Sequence, residues 1–363
     1  MQRTPPLVPD FTSAWSVLDQ ALPRGVPGVS AAIWHAGAVY GPTTRGVLLP
    51  GGPSIGSGTR FAVASITKIV TALAVLRLVD RGALALEAPV VELLPSARLS
   101  SDARPRHLLS HTSGLPFDVD STLVPYGPVL THDRLLDACL STPSVTPVDT
   151  IVTYSNTGYG LLARLIVDVT GDDYPPAVRR LVLEPLGLTA SDFAPSTDDS
   201  MVAPVFDVRG DHDSALEPYN TAFWRGLRLP WGGLFSTPAD LLRLTAPFLS
   251  DPIGAGFLSP TLAEQAVANQ TADLPGGGSP PLKWAPNPWG LGWELRDAKQ
   301  PHWAPTRASP LSFGHAGHAG AVVWADRRHR VAWALCGNRT ADNGWLLRIG
   351  PAFGEAVLAA IDS

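Results

Sequence analysis

The segment that most constrains the fold is an apolar run that begins directly after Lys68. Residues 69–79 are hydrophobic on nearly every side of a helix, and Arg77 is the charged exception. A helix without a polar face has to be covered by other elements, so the run predicts a buried helix. Arg81-Gly82 predicts its end, because glycine readily adopts the left-handed conformation of a helix cap.

A hydroxyl and an amine stand at the start of this run. Ser65 and Lys68 are three residues apart, so on a helix both side chains project from one face. Burial of an ammonium is costly, and a buried lysine therefore tends to lose its proton and act as a base. The chain has only three lysines, Lys68, Lys283 and Lys299. Since arginine stays protonated, a lysine here indicates proton transfer; the alternative is a lysine that reaches solvent from the helix end.

The composition is that of a globular protein with a sizeable core. The 363 residues are 45% hydrophobic and 16% charged, and the formal net charge is −5. That length allows one large domain or two smaller ones. The mildly acidic charge argues against nucleic acid as a partner. Two cysteines, Cys139 and Cys336, do not make a disulfide framework.

No pattern indicates membrane association, a cofactor or a metal. Residues 1–6 are followed by no apolar segment of signal-peptide length, and no run of about 18 apolar residues could span a bilayer. We therefore expect a cytoplasmic protein, and the oligomeric state stays open. His315 and His318 are close in sequence, but no carboxylate or cysteine beside them completes a metal-ligand set.

Strand patterns lie at both ends of the chain, and helical patterns lie between them. The predicted strands are 29–34, 38–40, 312–320, 321–325 and 330–336. The predicted helices, besides the buried one, are 10–22, 131–141, 161–169, 238–249 and 344–361. The simplest assembly is one antiparallel sheet built from both termini, with a helical region inserted between them.

Two polar segments in the helical region are candidates for the site. Tyr154-Ser155-Asn156 precedes the helix at 161–169, and an N-cap accounts for Ser155 or Asn156 but not for the adjacent tyrosine. His111 is interpreted as a histidine that hydrogen-bonds a turn.

Acyl transfer needs a nucleophile, a base and an oxyanion hole. Ser65 supplies the hydroxyl, and Lys68 and Tyr154 form a pair whose shared proton the sequence does not assign.

Three motifs together resemble the serine β-lactamase and penicillin-binding protein superfamily. Ser65-Ile66-Thr67-Lys68 resembles its Ser-x-x-Lys element. Tyr154-Ser155-Asn156 resembles the Tyr-x-Asn motif of the class C β-lactamase-related branch, and His315-Ala316-Gly317 resembles the third motif in its His-x-Gly form. Segments 108–114 and 233–240 resemble further signatures. The elements occur in the family's order between about residues 25 and 340.

The resemblance implies an α+β fold of three layers, α/β/α, of the β-lactamase/transpeptidase type. An antiparallel sheet is flanked by helices, and an all-α region lies beside it. We expect residues 1–60 and 286–363 to form the sheet domain and residues 61–285 to form a mainly helical domain. The active site would lie between the two.

The resemblance also implies roles for individual residues. Ser65 would form an acyl-enzyme, and Lys68 and Tyr154 would act as general base and then general acid. The backbone N–H groups of Ser65 and His318 would form the oxyanion hole. The candidate substrate-binding residues are Asn156, His315, Gly317 and Trp231, and Asn156 would position the acyl group of the substrate. Tryptophans in the later loops are expected either to line an apolar pocket or to pack in the core; these are Trp224, Trp231, Trp284, Trp289, Trp293 and Trp303.

The third motif departs from the β-lactamase pattern. β-Lactamases of this branch usually carry lysine where this chain has His315, and that lysine helps to hold a substrate carboxylate. A neutral histidine should bind a carboxylate less well. The His-x-Gly form resembles D-aminopeptidases, some D,D-peptidases and some esterases. We therefore expect a serine hydrolase acting on esters or small amides; the alternatives are a β-lactamase, a D,D-peptidase or D-aminopeptidase, an acyltransferase of secondary metabolism, and an inactive binding protein.

Overall fold

The structure, a computed structural model, describes residues 9–249, 254–277 and 282–362. Its strands are β1 (Gly28–His35), β2 (Ala38–Gly46), β3 (Phe61–Ala62), β4 (Val152–Thr153), β5 (Phe235–Ser236), β6 (Gly276–Gly277), β7 (Lys283–Trp284), β8 (Glu294–Leu295), β9 (Ser312–Gly317), β10 (Ala321–Asp326) and β11 (Val331–Gly337). Its α-helices are α1 (Thr12–Val17), α2 (Thr67–Asp80), α3 (Val90–Leu93), α4 (Pro105–Leu109), α5 (His132–Ser141), α6 (Asn156–Thr170), α7 (Tyr174–Val178), α8 (Glu184–Leu186), α9 (Ala222–Gly226), α10 (Pro238–Arg243), α11 (Pro260–Ala266) and α12 (Trp345–Asp362).

The main sheet joins the two ends of the chain. Its six strands have the order β2-β1-β11-β10-β9-β8, and every neighbouring pair is antiparallel. β1 pairs with β11 along its length, so the amino-terminal hairpin is completed by the carboxy-terminal strands. This confirms the predicted antiparallel sheet built from both termini.

Helices cover both faces of this sheet. On one face α1 and α12 pack together over Trp324 and Trp333. On the other face α10 contacts β1 and β11, and sheet residues such as Val323 join one large core with α2. The three-layer α/β/α class is therefore confirmed.

The proposed division into a sheet domain and a mainly helical domain, with boundaries at residues 61 and 286, stays a prediction. In the described ranges, no helix combines the length and hydrophobicity needed to cross a bilayer.

Helix α2 is buried on nearly all sides, as its sequence predicts. Within it only Arg77, Val79 and Asp80 are more than slightly exposed. It packs against α6 and against a π-helical turn at 179–183. Ser65 lies just before α2, in a 3-10 turn at Ala64–Ile66. This turn, rather than the helix itself, carries the hydroxyl.

Two predicted helices are shorter than their patterns indicate. α1 ends at Val17 and continues only as 3-10 turns, with Pro23 in the second turn. α10 begins at the predicted cap, where Thr237 accepts a hydrogen bond from the backbone N–H of Asp240, but it ends at Arg243. There the hydroxyl of Thr245 donates to the carbonyl of Leu242 and competes with helical bonding.

Candidate active site

Ser65 lies where the turn before α2 meets strand β9. The preceding Ala64 has a left-handed φ of 43°, a conformation that non-glycine residues rarely adopt. Opposite it, a Cβ on Gly317 would lie 2.0 Å from the carbonyl oxygen of Val63. Only glycine therefore allows β9 to approach this closely. The close approach brings the backbone of Gly317 and His318 beside the turn that carries Ser65.

Lys68 lies beneath Ser65 in a site without a counter-ion. Its Nζ is 3.3 Å from Ser65 Oγ and donates to the carbonyl of Trp231 at 3.1 Å. The side chain is fully buried, and no carboxylate in the described ranges lies within ion-pair distance of it. Burial lowers the pKa of Lys68 to about 7, although the more distant charge of Asp118 opposes this shift. An uncharged amine is therefore available to Ser65 near neutral pH.

Tyr154 lies on the other side of Lys68. Lys68 Nζ is 4.6 Å from the centre of the Tyr154 ring, and Tyr154 Oη is 3.5 Å from His315 Nε2. Burial raises the pKa of Tyr154 well above its usual value, and interaction with the Ser65 hydroxyl offsets only part of the rise. These shifts favour a protonated Tyr154 and an uncharged Lys68 for the pair whose proton the sequence left unassigned.

His315 is a neutral partner of Tyr154. Its Nδ1 is 2.7 Å from the carbonyl oxygen of Ala316, which can only accept, so Nδ1 carries the proton. Nε2 is then an acceptor facing the Tyr154 hydroxyl. Burial lowers the pKa of His315 to about 4. The third motif therefore presents no positive charge at neutral pH.

Asn156 and Trp231 lie apart from this group. They line a neighbouring depression together with Asp118, whose carboxylate accepts a hydrogen bond from Asn156 Nδ2 at 2.8 Å. Trp231 reaches the site through its carbonyl group, which binds Lys68. Ser155 Oγ caps α6 by accepting from the backbone N–H of Gly158. The N-cap interpretation is correct for Ser155, whereas the Asn156 side chain faces the depression, where it binds Asp118.

A cavity of about 230 Å³ opens beside Ser65. Its lining includes four predicted site residues besides Ser65, namely Tyr154, His315, Gly317 and His318. Of the later tryptophans, Trp284, Trp289 and Trp303 form its apolar wall. Trp224 and Trp293 instead pack in hydrophobic clusters away from it.

The sequence analysis missed the second role of His111. Its Nδ1 accepts the backbone N–H of Ser155 at 3.1 Å, which is the expected hydrogen bond to backbone. Its ring also packs on Tyr154 and on Trp289, at 4.6 and 4.7 Å between ring centres. His111 therefore packs against the Tyr154 ring and helps to hold it in position. No local pattern signals this contact, because the three residues come from distant segments.

A buried ionic cluster behind the cavity was also missed. Glu294 Oε1 lies 3.3 Å from both Lys299 Nζ and His302 Nε2. Burial lowers the pKa of Lys299 to about 8. Burial alone would raise the pKa of Glu294, but the charges of Lys299 and His302 outweigh it and hold the pKa below its usual range. The rarity of lysine was the available signal, since both Lys68 and Lys299 are buried at this site.

Comparison with known proteins agrees with this geometry. The Beta-lactamase family model matches residues 17–345, which is most of the chain. The chain belongs to the β-lactamase family. This confirms the resemblance read from the three motifs, and it places the chain in a family of hydrolases.

Similar members of the β-lactamase family are named as a penicillin-binding protein, an esterase and a β-lactamase. The chain is 31% identical to penicillin-binding protein 4 of Amycolatopsis lactamdurans, covering 75% of this chain and 72% of that protein. It is 29% identical to esterase EstB of Burkholderia gladioli, covering 85% and 83%. A crystal structure of a β-lactamase from Mycobacterium bovis has a TM-score of 0.67 and 26% identity, covering 95% and 99%.

The uncharged state of Lys68 predicts a pH dependence. We expect kcat/KM for p-nitrophenyl butyrate to rise as the pH increases through about 7, because the amine has to lose its proton before it can accept that of Ser65. Lys68→Arg keeps the charge and should lower kcat/KM by roughly 10²–10⁴-fold. The control is Lys283→Arg at an exposed lysine. A flat profile from pH 5 to 9, or an active Lys68→Arg variant, would contradict this assignment.

The close approach of β9 predicts that Gly317→Ala is damaging. The added Cβ meets backbone at 2.0 Å, so β9 has to move away from the Ser65 turn. If His318 supplies an oxyanion donor, kcat/KM should fall by about 10²-fold or more. Gly226→Ala is the matched control, because its Cβ meets nothing within 4 Å. Ester hydrolysis by both variants at the wild-type rate would show that the approach of β9 is not required.

Proposed function

We propose that this protein is a serine hydrolase in which carboxylic esters or small amides acylate Ser65. The observation that carries the proposal is the placement of Lys68. Its amine is 3.3 Å from the Ser65 hydroxyl, and burial favours its uncharged form. A serine hydroxyl is a weak nucleophile unless an adjacent base removes its proton. Lys68 is such a base.

Acylation begins when Ser65 Oγ attacks the carbonyl carbon and Lys68 Nζ takes the hydroxyl proton. The backbone N–H groups of Ser65 and His318 stabilise the negative oxygen that develops. Collapse of the tetrahedral intermediate breaks the bond to the leaving group, which receives a proton from Tyr154. Tyr154 regains a proton from the Lys68 ammonium. The base is thereby restored.

Deacylation follows the same path in reverse, with water in place of the leaving group. The Lys68–Tyr154 pair takes a proton from water as its oxygen attacks the acyl carbon. The bond to Ser65 Oγ then breaks, and Ser65 recovers its proton as the carboxylic acid leaves. His315 accepts from the Tyr154 hydroxyl and keeps it oriented between the two steps.

Esters and small amides are favoured over β-lactams by the charge of the cavity. The third motif carries neutral His315, and no lysine or arginine is among the described residues that line the cavity. Penicillins and cephalosporins present a carboxylate next to the lactam, and such a group gains most from a cationic partner. The similarity to esterase EstB supports the same preference.

Acylation by β-lactams is the second candidate. It is favoured by the 31% identity with a penicillin-binding protein, a higher identity than that with the esterase. Under this alternative, a penicillin would acylate Ser65 through the same Lys68 and Tyr154.

Paired rate measurements separate the two candidates. We expect kcat/KM for p-nitrophenyl butyrate to exceed that for a chromogenic cephalosporin, because the cavity offers no cation for the cephalosporin carboxylate. Ser65→Ala should abolish turnover of both compounds, which assigns either activity to the same hydroxyl. Faster turnover of the cephalosporin would overturn the ester preference and favour the second candidate.

A further inference from the structure

The carboxylate of Glu294, the first residue of β8, faces the cavity. Glu294 is one of the residues that line the cavity, together with Ser65, Tyr154 and His315. Its side chain is only 4% exposed. None of the three sequence motifs includes it, and no step of the proposed mechanism uses it.

The contacts of Glu294 occupy one of its two oxygens. Lys299 Nζ and His302 Nε2 both lie 3.3 Å from Oε1. The hydrogen bond from Lys299 also goes to Oε1, and no described residue donates a hydrogen bond to Oε2. Because Glu294 lines the cavity, this second oxygen is the part of the carboxylate left to meet a bound molecule.

The cation that balances Glu294 does not line the cavity. Lys299 is fully buried, donates to the carbonyl of Pro288 at 2.9 Å and lies 5.0 Å from the ring centres of both Trp284 and Trp289. A molecule in the cavity therefore meets a carboxylate and tryptophan rings before it meets an ammonium. At the cavity mouth the second carboxylate, Asp342, is paired with His318 and with Arg209.

The leaving group is the part of the substrate that would enter this cavity. Tyr154, the proposed proton donor to the leaving group, lines the cavity beside Ser65. Asn156, the residue expected to position the acyl group, lines the neighbouring depression instead. The two parts of an ester would thus lie on opposite sides of Ser65, with the leaving group against Glu294 and the tryptophans.

We propose that Glu294 is a specificity residue that restricts the enzyme to esters and amides with an uncharged leaving group. Its carboxylate repels a carboxylate on the leaving group, while Trp284, Trp289 and Trp303 provide apolar contacts for an uncharged aromatic or aliphatic group. The inference rests on the proposed hydrolase function, and it adds the chemical class of the leaving group.

A matched pair of esters tests this without any mutation. The two substrates are 3-carboxy-4-nitrophenyl butyrate and 3-carbamoyl-4-nitrophenyl butyrate, which differ in charge but hardly in size. After division by the uncatalysed rate of each ester, the wild-type enzyme should prefer the carbamoyl ester by roughly 30-fold or more, the scale of a partly screened like-charge contact. Equal rates would overturn the role of Glu294. Absence of turnover for both esters would instead overturn the hydrolase proposal on which it rests.

A substitution then assigns the preference to Glu294. Glu294→Gln keeps the shape and removes the repulsion. The preference ratio should fall at least about tenfold, the lower end for loss of a like-charge contact. This ratio is unaffected by an overall loss of activity, and Glu184→Gln at an exposed position is the control. An unchanged ratio in a folded Glu294→Gln variant would overturn the assignment. If that variant does not fold, equal rates for the two esters on the wild-type enzyme would still overturn the proposal, and a strong preference for the carbamoyl ester would support it.

Discussion

The site depends on the desolvation of one ammonium group. Lys68 is fully buried, and a carbonyl and a hydroxyl replace the water and the counter-ion that would keep it charged. A surface lysine next to Ser65 would hold its proton and could not accept another one. In the proposed mechanism, the apolar surroundings of α2 are therefore a chemical requirement as well as a packing arrangement. The same burial keeps Tyr154 and His315 neutral, so the centre of the site carries little charge.

The sheet and the helices contribute different parts of this arrangement. Helix α2 buries Lys68, whereas β9 supplies the backbone next to Ser65 and the neutral histidine that orients Tyr154. The two parts meet at Gly317, where a side chain would collide with the Ser65 turn. Because the sheet combines both ends of the chain, this contact requires the whole fold to be in place.

Local sequence patterns predict the parts of the site that local geometry determines. The spacing of Ser65 and Lys68 and the apolar run behind them are sufficient to predict two side chains at the start of a buried helix. The strands near both ends follow from alternation and turns. Short β8 and the support of Tyr154 by His111 depend on contacts between distant segments, so no spacing predicts them. Glu294 and Lys299 are only five residues apart, but they lie in an irregular segment where no periodicity indicates that their side chains meet. Residues 269–310 show no periodicity, and residues 278–281 of that segment lie outside the described ranges.

The central claim is that Ser65 is the activated nucleophile. Incubation with a fluorophosphonate followed by peptide mass spectrometry tests it directly, because the reagent forms a stable adduct with an activated serine. The account predicts one adduct on Ser65, formed faster as the pH rises through about 7 and lost in Lys68→Arg. An adduct on another residue, or no adduct on the folded protein, would contradict it.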